Sequence, residues 1–370
     1  MSKKVLILVN HDVVIYNFRK ELVERLIAED YTVIVSSPYG SKIDELVDMG
    51  CIYDKVDIER HGTNPLQDKK LYEYYKKTIK KYQPNIVLTY TIKPNIYGAM
   101  AAKKYGIPCM ANITGLGTAF ERQGIMREFL IILYKFAFSK IHKVFFQNEE
   151  DMRVFKERKI SLGKHKLLPG SGVNIAQFSF EEYPIRNDKI KFLFIGRIMK
   201  DKGVEELFAA ANNIKEKYSN VVFDAIGFCE EEYEKRIEML KKENVINFHG
   251  VKDNVQEYIR ESNAIIHPTY HEGMSNVLLE ASAMGRPVLA SDIPGCREIF
   301  DEGISGLGFK AKDSEDLTNT IENFINLPLD KKKSMGVAAR KKVANEFDRN
   351  IVVNEYLNEI EKVLGKENNE

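Results

Sequence analysis

Short runs of apolar residues alternate with longer segments of helical apolar spacing along the whole chain. In the first part, the short runs predict strands at residues 5–9, 32–36, 86–89, 109–113 and 144–147. The segments between them, such as 18–29 and 94–105, have apolar residues at the three- and four-residue spacing of helices. This alternation predicts a doubly wound parallel sheet.

The same pattern begins again after a Gly/Pro/Asn stretch at 169–174 and a charged connector at 181–189. The second set of strands is predicted at residues 191–195, 221–226, 247–249, 264–267 and 288–291. We therefore expect two α/β domains, 1–170 and 186–348, that face each other across a cleft. An amphipathic helix at 349–364 follows, and the segment 349–370 is expected to pack back on the first domain.

Composition narrows the class of protein. The chain has 370 residues, 44% hydrophobic and 29% charged, which is typical of an ordinary enzyme of two domains. No run of about 18 apolar residues predicts a membrane-spanning helix, and 5–9 reads as a buried strand rather than a signal peptide. The four cysteines form no C-x-x-C pair, which argues against zinc and disulfides. The protein is expected to stay inside the cell.

Charge is divided unevenly between the two halves. Residues 1–180 carry 28 Lys and Arg against 19 Asp and Glu, a net +9, whereas residues 181–370 carry 27 against 35, a net −8. The basic half is expected to face something anionic, such as phosphates or a membrane surface. Drift in the number of surface lysines is the alternative explanation.

In open α/β sheets, ligands bind at the carboxyl ends of strands. The loop after strand 191–195 places Arg197 and Lys202 there, and both are cations at neutral pH that suit a diphosphate. Gly196 and Gly203 would let the backbone turn and approach a ligand. The alternative is a pair of solvated cations on a surface loop.

The loop after strand 264–267 contains Glu272 and leads into a helix predicted to start near Val277, capped by Ser275 or Asn276. A helix N-terminus attracts phosphate through its free N–H groups, and Gly273 removes a side chain that would block them. Glu272 and Glu280 can accept hydrogen bonds from a sugar and from a ribose, respectively. For Glu280, a first-turn glutamate that complements the helix dipole is the alternative.

These residues resemble a known family. HEGMSNVLLEA at 271–281, MGRPV at 284–288 and DIPGCRE at 292–298 resemble family 4 of the retaining glycosyltransferases, which have the GT-B fold. Gly196-Arg197 and Lys202-Gly203 match the phosphate-binding segment of that family. YTIKPNIYG at 90–98 and ITGLG at 113–117 resemble the subgroup that builds capsular polysaccharide and lipid-linked oligosaccharide. That subgroup includes N-acetylgalactosaminyltransferases that act on undecaprenyl-diphosphate sugars.

The resemblance implies transfer of a sugar from a UDP-sugar, with retained anomeric configuration, to a polyprenyl-diphosphate-linked saccharide. Arg197, Lys202 and Glu272 would be catalytic, with the leaving phosphate itself accepting the proton of the acceptor. The expected nucleotide-sugar contacts are Gly196, Gly227, His249, Gly273, Met274, Ser275, Asn276 and Glu280. No cofactor is implied, and no metal, because the sequence has no Asp-x-Asp at a strand end.

The first domain is expected to bind the acceptor through His11, Lys93, Asn95, Thr114 and Arg122. Two departures from the family concern this domain: the first loop, 10–14, is not glycine-rich, and the loop after the fourth strand has no histidine. Segment 122–143 combines an apolar stretch, 129–138, with basic residues. It is predicted either to lie on the anionic inner face of the cell membrane or to cover the sheet as a buried helix.

Other enzyme classes share the doubly wound fold but need motifs of their own. A nicotinamide oxidoreductase needs G-x-G-x-x-G after a strand and a P-loop enzyme needs Gly-Lys-Ser/Thr, and neither motif occurs. A UDP-sugar epimerase of GT-B shape and an inactive sugar-nucleotide-binding or scaffold protein remain as alternatives. No nucleic-acid partner is expected.

Overall fold

The computed structural model describes residues 2–57, 64–116, 124–185 and 189–365. The chain forms two compact units. The N-terminal unit comprises Met1–Ser171 together with Asn350–Glu370, and the C-terminal unit comprises Gly172–Arg349. Each unit is built around one parallel sheet with helices on both faces.

The described part of the N-terminal unit contains a seven-stranded sheet in the order β3-β2-β1-β4-β5-β6-β7, with every pairing parallel. Its central strands are apolar and buried on both faces, as expected of a parallel sheet covered by helices. The strands are β1 (Lys4–Leu8), β2 (Thr32–Ser37), β3 (Ile52–Lys55), β4 (Ile86–Tyr90), β5 (Cys109–Ile113), β6 (Lys143–Phe146) and β7 (His165–Leu167).

Three helices of this unit, α1, α3 and α6, begin at a side chain that caps the helix N-terminus. Asn64 accepts a hydrogen bond from the Leu66 amide at 3.0 Å, and Asn148 accepts one from the Asp151 amide at 2.8 Å. The helices are α1 (Asp12–Ala28), α2 (Ile43–Asp48), α3 (Pro65–Tyr82), α4 (Ala99–Lys104), α5 (Ile125–Ala137) and α6 (Glu149–Glu157).

The single helix predicted at 94–105 is in fact two elements. A one-turn π-helix, Pro94–Gly98, precedes α4. Among the described residues, the sequence pattern missed β3 and β7, because both are short strands at the edges of the sheet. Short edge strands carry little of the period-two signal on which a strand prediction depends.

The C-terminal unit repeats the design with a six-stranded parallel sheet in the order β10-β9-β8-β11-β12-β13. The strands are β8 (Ile190–Ile195), β9 (Val221–Ile226), β10 (Asn247–Phe248), β11 (Ala264–His267), β12 (Val288–Ser291) and β13 (Gly306–Phe309). The helices are α7 (Val204–Lys217), α8 (Glu231–Lys242), α9 (Val255–Glu261), α10 (Asn276–Ala283), α11 (Ser314–Asn326) and α12 (Leu329–Glu346). The edge strand β13, which is glycine-rich, was not predicted.

The last helix, α13 (Arg349–Gly365), belongs to the N-terminal unit from Asn350 onward. Its apolar side chains pack into the core on the α1 face of the N-terminal sheet. They are Val352, Val353, Tyr356, Leu357, Ile360 and Leu364. No helix within the described ranges is both long and apolar enough to cross a lipid bilayer.

Tyr356 is the main polar anchor of α13. Its hydroxyl accepts a hydrogen bond from Asn112 Nδ2 at 2.6 Å, and its ring lies 4.5 Å from the Phe145 ring, centroid to centroid. The Arg19 guanidinium lies 5.7 Å from the centroid of the Tyr356 ring. One side chain therefore connects α13 with α1, β5 and β6.

We expect Tyr356→Ala to lower the free energy of unfolding by about 3–5 kcal/mol, because it opens a cavity at a fully packed aromatic site. Tyr356→Phe should cost about 1–3 kcal/mol, because Asn112 loses the acceptor of its amide. Urea denaturation followed by circular dichroism measures both. Leu66→Ala, at a side chain that is 71% exposed, is the control and should change stability by less than about 0.5 kcal/mol. A Tyr356→Ala protein as stable as this control would contradict the assignment.

Candidate functional site

The candidate site lies in the C-terminal unit, at the edge of the sheet where β9, β8 and β11 end. These three strands are neighbours and run parallel, so the residues that follow them share one edge. Segment 196–202 follows β8, Gly227 follows β9, and loop 268–275 follows β11. The sheet therefore brings together the two loops that the sequence analysis assigned to a diphosphate.

The loops at this edge touch through their backbones. Gly203 has φ +68°, and a Cβ atom there would lie 1.9 Å from the Pro268 carbonyl oxygen. Gly227 has φ +144°, and a Cβ atom there would lie 1.9 Å from the Gly196 carbonyl oxygen. Both glycines are therefore required by contacts within the protein, whereas the sequence alone predicted Gly203 as a point where the backbone approaches a ligand.

The best-defined contact in the site is an ion pair between Lys202 and Glu272. Lys202 Nζ lies 2.5 Å from Glu272 Oε1, and it also lies 3.5 Å from Thr269 Oγ1. His267 Nε2 lies 3.2 Å from the same Glu272 oxygen. Lys202 and Glu272, which the sequence predicted as separate site residues, are thus in direct contact, and His267 contacts the same carboxylate.

The Glu272 carboxylate is held in its ionised form. Burial by itself would raise the pKa of Glu272, but the hydrogen bond from His267 and the positive charge of Lys202 outweigh burial and lower this pKa to about 2. Glu272 is therefore ionised, and a hydrogen-bond acceptor only, at neutral pH. Its Oε2 atom accepts no hydrogen bond from the described residues, which leaves it able to bind a hydroxyl group.

The N-terminus of α10 is capped by Ser275, one of the two caps predicted. Ser275 Oγ accepts a hydrogen bond from the Leu278 amide at 3.3 Å. The Ser275 amide itself donates to the Gly295 carbonyl at 2.8 Å, so it is not available to a phosphate in this conformation. Contacts of Gly273, Ser275 and Asn276 with a nucleotide sugar stay predictions. The Met274 side chain is buried in the core, so this residue could reach a ligand only through its backbone.

Glu280, on α10, has a raised pKa, whereas the pKa of Glu272 is lowered. Burial raises the pKa of Glu280 to about 7, and the charge of Arg349 opposes this shift only in part. Among the described residues, no side chain or backbone group donates a hydrogen bond to its carboxylate. The site thus contains a carboxyl group that would gain from hydroxyl partners.

The other predicted contacts of this unit differ in how firmly they are held. Arg197 is 61% exposed, and its nearest acidic group is Glu230 at 3.8 Å, so its guanidinium is largely open to solvent. His249 Nε2 lies 2.8 Å from Asp224 Oδ1, and its ring lies 5.1 Å from the Tyr258 ring. Gly227, beside it, donates its amide to the Gly250 carbonyl at 2.9 Å. Whether these residues surround a uracil stays a prediction.

In the N-terminal unit, two of the residues predicted to bind the acceptor are engaged in contacts within the protein. Asn95 is buried, accepts a hydrogen bond from Thr89 Oγ1 at 2.7 Å and donates to the Asn112 carbonyl at 2.9 Å. Lys93 Nζ lies 3.0 Å from Asp68 Oδ1. Asn95 therefore holds β4 to β5, and a contact with the acceptor would require it to leave that position.

The remaining acceptor predictions have varied outcomes. His11 precedes α1 as its N-cap, with Nδ1 2.6 Å from Asp12 Oδ1. Thr114 is half-buried just after β5. Arg122 lies outside the described residues, as does Gly117 of the motif at 113–117. These acceptor contacts stay predictions.

Thr91, the second residue of the motif at 90–98, has an unusual backbone conformation just after β4. It has φ +70°, which is unusual for a β-branched residue, and its buried hydroxyl has no hydrogen-bond partner among the residues that the structure describes. The π-helix Pro94–Gly98 follows directly, and such turns occur frequently at functional sites. Local sequence carries no signal for this strain, because the strain arises from how the loop is placed on the sheet.

Comparison with known proteins places the chain in a family. The family model described as glycosyl transferases group 1 matches residues 176–342, and the model described as glycosyl transferase 4-like matches residues 4–148. Together the two matches cover most of the chain, with one match in each unit.

Two curated relatives extend over much of the sequence. An N,N'-diacetylbacillosaminyl-diphospho-undecaprenol alpha-1,3-N-acetylgalactosaminyltransferase of Campylobacter jejuni is 26% identical over 368 residues, which is 95% of this chain and 96% of the relative. A UDP-Gal:alpha-D-GlcNAc-diphosphoundecaprenol alpha-1,3-galactosyltransferase of Escherichia coli is 25% identical over 301 residues, or 76% of each chain.

Among solved structures, sucrose-phosphate synthase from Thermosynechococcus elongatus superposes with a TM-score of 0.82 at 18% identity. The match covers 98% of this chain and 100% of the other. This similarity shows the fold alone, and the fold is GT-B. The two matched family models, one in each unit, agree with this fold, and the chain is a glycosyltransferase of the GT-B fold and a hexosyltransferase.

Proposed function

We propose that this enzyme transfers a sugar from a UDP-sugar to a polyprenyl-diphosphate-linked saccharide, with retention of the anomeric configuration, in the assembly of a surface polysaccharide or glycan. The names of the two curated relatives support this substrate class, since one names UDP-Gal as the donor and both name a diphosphoundecaprenol acceptor. They give no support to the epimerase alternative.

The observation that carries the proposal is the ion pair between Lys202, after β8, and Glu272, in the loop between β11 and α10. Lys202 is fixed by the carboxylate before any donor binds, so its charge needs little rearrangement when negative charge grows on a leaving diphosphate. Preorganised charge of this kind is usually the largest contribution to catalysis. Arg197, exposed on the same loop, would supply the second positive charge.

In the proposed reaction, the acceptor hydroxyl attacks the anomeric carbon from the side on which UDP leaves. The bond between the anomeric carbon and the β-phosphate oxygen breaks, the bond to the acceptor oxygen forms, and the acceptor proton passes to the leaving phosphate. Glu272 would bind a hydroxyl group of the donor sugar through Oε2, and Glu280 would bind the ribose. No cofactor and no metal ion are part of this proposal.

The test of this proposal is incubation of the pure protein with a panel of UDP-sugars and a short polyprenyl-diphosphate saccharide, followed by mass spectrometry. Transfer predicts release of UDP together with an acceptor heavier by one sugar. A changed sugar nucleotide without a heavier acceptor would instead indicate an epimerase. Binding of the nucleotide sugar without any product would indicate an inactive binding protein.

We expect Lys202→Ala and Arg197→Ala each to lower kcat by about 10²- to 10³-fold, because each removes one positive charge from the leaving diphosphate. Steady-state assays of UDP release measure the effect. Lys200→Ala is the matched control, since Lys200 is an exposed lysine on the same turn as Lys202. Near-normal rates in both variants, with the fold intact, would contradict the assignment of the diphosphate site.

Binding of the UDP-sugar should strengthen as pH rises through about 7, because the Glu280 carboxyl, with its pKa raised to about 7, then ionises and becomes a better acceptor for hydroxyl groups. Calorimetric titration should give a Kd about 3- to 10-fold weaker at pH 6 than at pH 8. Glu280→Gln should bind more weakly at pH 8 and lose this pH dependence. An unchanged slope in Glu280→Gln would show that another group titrates.

We further propose that the enzyme acts on the inner face of the cell membrane and contacts it through α5. One face of this helix, with Ile131, Tyr134 and Ala137, is buried in the core of the N-terminal unit. The opposite face is also apolar, yet it is half or more exposed to solvent. This exposed α5 face consists of Ile125, Met126, Phe129, Ile132 and Phe136.

The charges around the exposed α5 face favour an anionic lipid surface as its partner. Lys135 and Lys140 are exposed beside it, and Lys103 Nζ lies 4.1 Å from the centroid of the Phe136 ring. Glu128, on the same helix, is paired with Arg158 at 3.1 Å. An apolar stripe with cations along its border is the arrangement that binds the interface of an anionic bilayer, where a polyprenyl acceptor would lie.

Flotation with vesicles tests this proposal. The wild-type protein should float with vesicles that contain phosphatidylglycerol and much less with pure phosphatidylcholine. The double variant Ile132→Glu, Phe136→Glu should bind at least about tenfold more weakly, because it removes two apolar side chains from the contact. Ile304→Glu, at an exposed apolar residue of the C-terminal unit, is the control and should behave as wild type. No flotation of the wild type with either vesicle would refute membrane contact.

A further inference from the structure

His267 lies in the site, in contact with Glu272, but the proposed function gives it no role. It is the last residue of β11 and is buried, with 2% of its surface exposed. Its Nε2 atom lies 3.2 Å from Glu272 Oε1 and 3.0 Å from Ser275 Oγ. One imidazole nitrogen therefore reaches both the carboxylate of the site and the cap of α10.

The surroundings of the ring indicate where its proton lies. Nδ1 is buried without a hydrogen-bond partner among the described residues, so a proton on Nδ1 would be an unsatisfied donor. An unprotonated Nε2 would also point its lone pair at the ionised Glu272 carboxylate. The arrangement that satisfies these contacts has a proton on Nε2, which donates toward Glu272 and Ser275.

The two hydrogen-bond donors to Glu272, Lys202 and His267, differ in how much they can move. Lys202 reaches the carboxylate at the end of a long side chain that is 24% exposed, whereas the His267 ring is enclosed at the end of a strand. Both donors use Oε1, which fixes the direction of Oε2. The four residues 268–271 separate the strand from Glu272, so the imidazole also fixes where this loop returns to the sheet.

We propose that His267 is a positioning residue for sugar transfer. Its Nε2–H holds the Glu272 carboxylate and the Ser275 cap in a fixed arrangement. Glu272 Oε2 and the N-terminus of α10 can then bind the same UDP-sugar. This inference rests on the proposed function, in which Glu272 contacts the donor sugar.

Two amide variants separate positioning from packing. The side chain of His267→Gln can place an N–H group near the position of Nε2, whereas that of His267→Asn is one methylene shorter and places it near the position of Nδ1. Asn should lower kcat by about 10- to 100-fold, the value of one hydrogen bond to a charged group, with KM for the UDP-sugar changed by less than about threefold. Gln should recover the wild-type kcat to within a few-fold.

The pH profile gives a readout that a loss of packing would not move. Loss of one of its two donors would let burial raise the pKa of Glu272, so the ratio of Asn-variant to wild-type kcat/KM should fall as the pH is lowered. The ratio for the Gln variant should stay level. Wild-type kcat values and pH-independent ratios in both variants would overturn the inference. Equal losses of kcat in both folded variants would also overturn it.

A further measurement and a control keep the two proposals apart. Nitrogen-15 NMR of the wild-type protein at pH 7 should show the His267 proton on Nε2, and a proton on Nδ1 overturns the inference whatever the activity. Glu272→Ala should abolish most transfer. If Glu272→Ala transfers sugar normally, the assigned role of Glu272 in the proposed function fails. If Glu272→Ala is inactive while His267→Asn is normal, positioning by His267 alone is refuted.

Discussion

The contact between Lys202 and Glu272 is the interaction on which the rest of the site depends, because a carboxylate in a partly enclosed loop needs partners to remain ionised. Lys202 supplies a charge and His267 supplies a hydrogen bond, and together they connect the loop after β8 with the loop after β11. The glycine at 203 allows these loops to meet, since any side chain there would overlap the Pro268 carbonyl. The start of α10 is then fixed from the same histidine through Ser275.

Two glutamates eight residues apart show how partners decide ionisation. Burial acts on both in the same direction and raises the pKa of each carboxyl. At Glu272, two donors reverse the effect and the pKa falls to about 2, whereas Glu280 has only the opposing charge of Arg349 and its pKa rises to about 7. One carboxylate is thus prepared as a permanent acceptor, and the other gains most from a ligand that brings hydroxyl groups.

The N-terminal unit shows polar side chains used mainly to hold the fold. Asn95 joins β4 to β5, Lys93 pairs with Asp68, and Asn112 anchors α13 through Tyr356. The sequence offered burial and membrane contact as alternatives for the helix now called α5, and the structure gives it one buried apolar face and one exposed apolar face. A helix that is apolar on all sides is therefore compatible with both burial and membrane contact, because one face packs on the protein core and the other faces outward.

The sequence by itself determined the two α/β units, the strands at the centres of the sheets and the family, because these follow from local periodicity and contiguous motifs. It left Ser275 and Asn276 as alternative caps of α10, and the structure decided for Ser275. The edge strands, the strained Thr91 and the engagement of Asn95 were decided only in the tertiary structure. The same is true of the contact between Lys202 and Glu272, which are 70 positions apart. They meet because β11 lies beside β8 in the sheet, and that order is fixed by packing of the whole unit rather than by any local pattern.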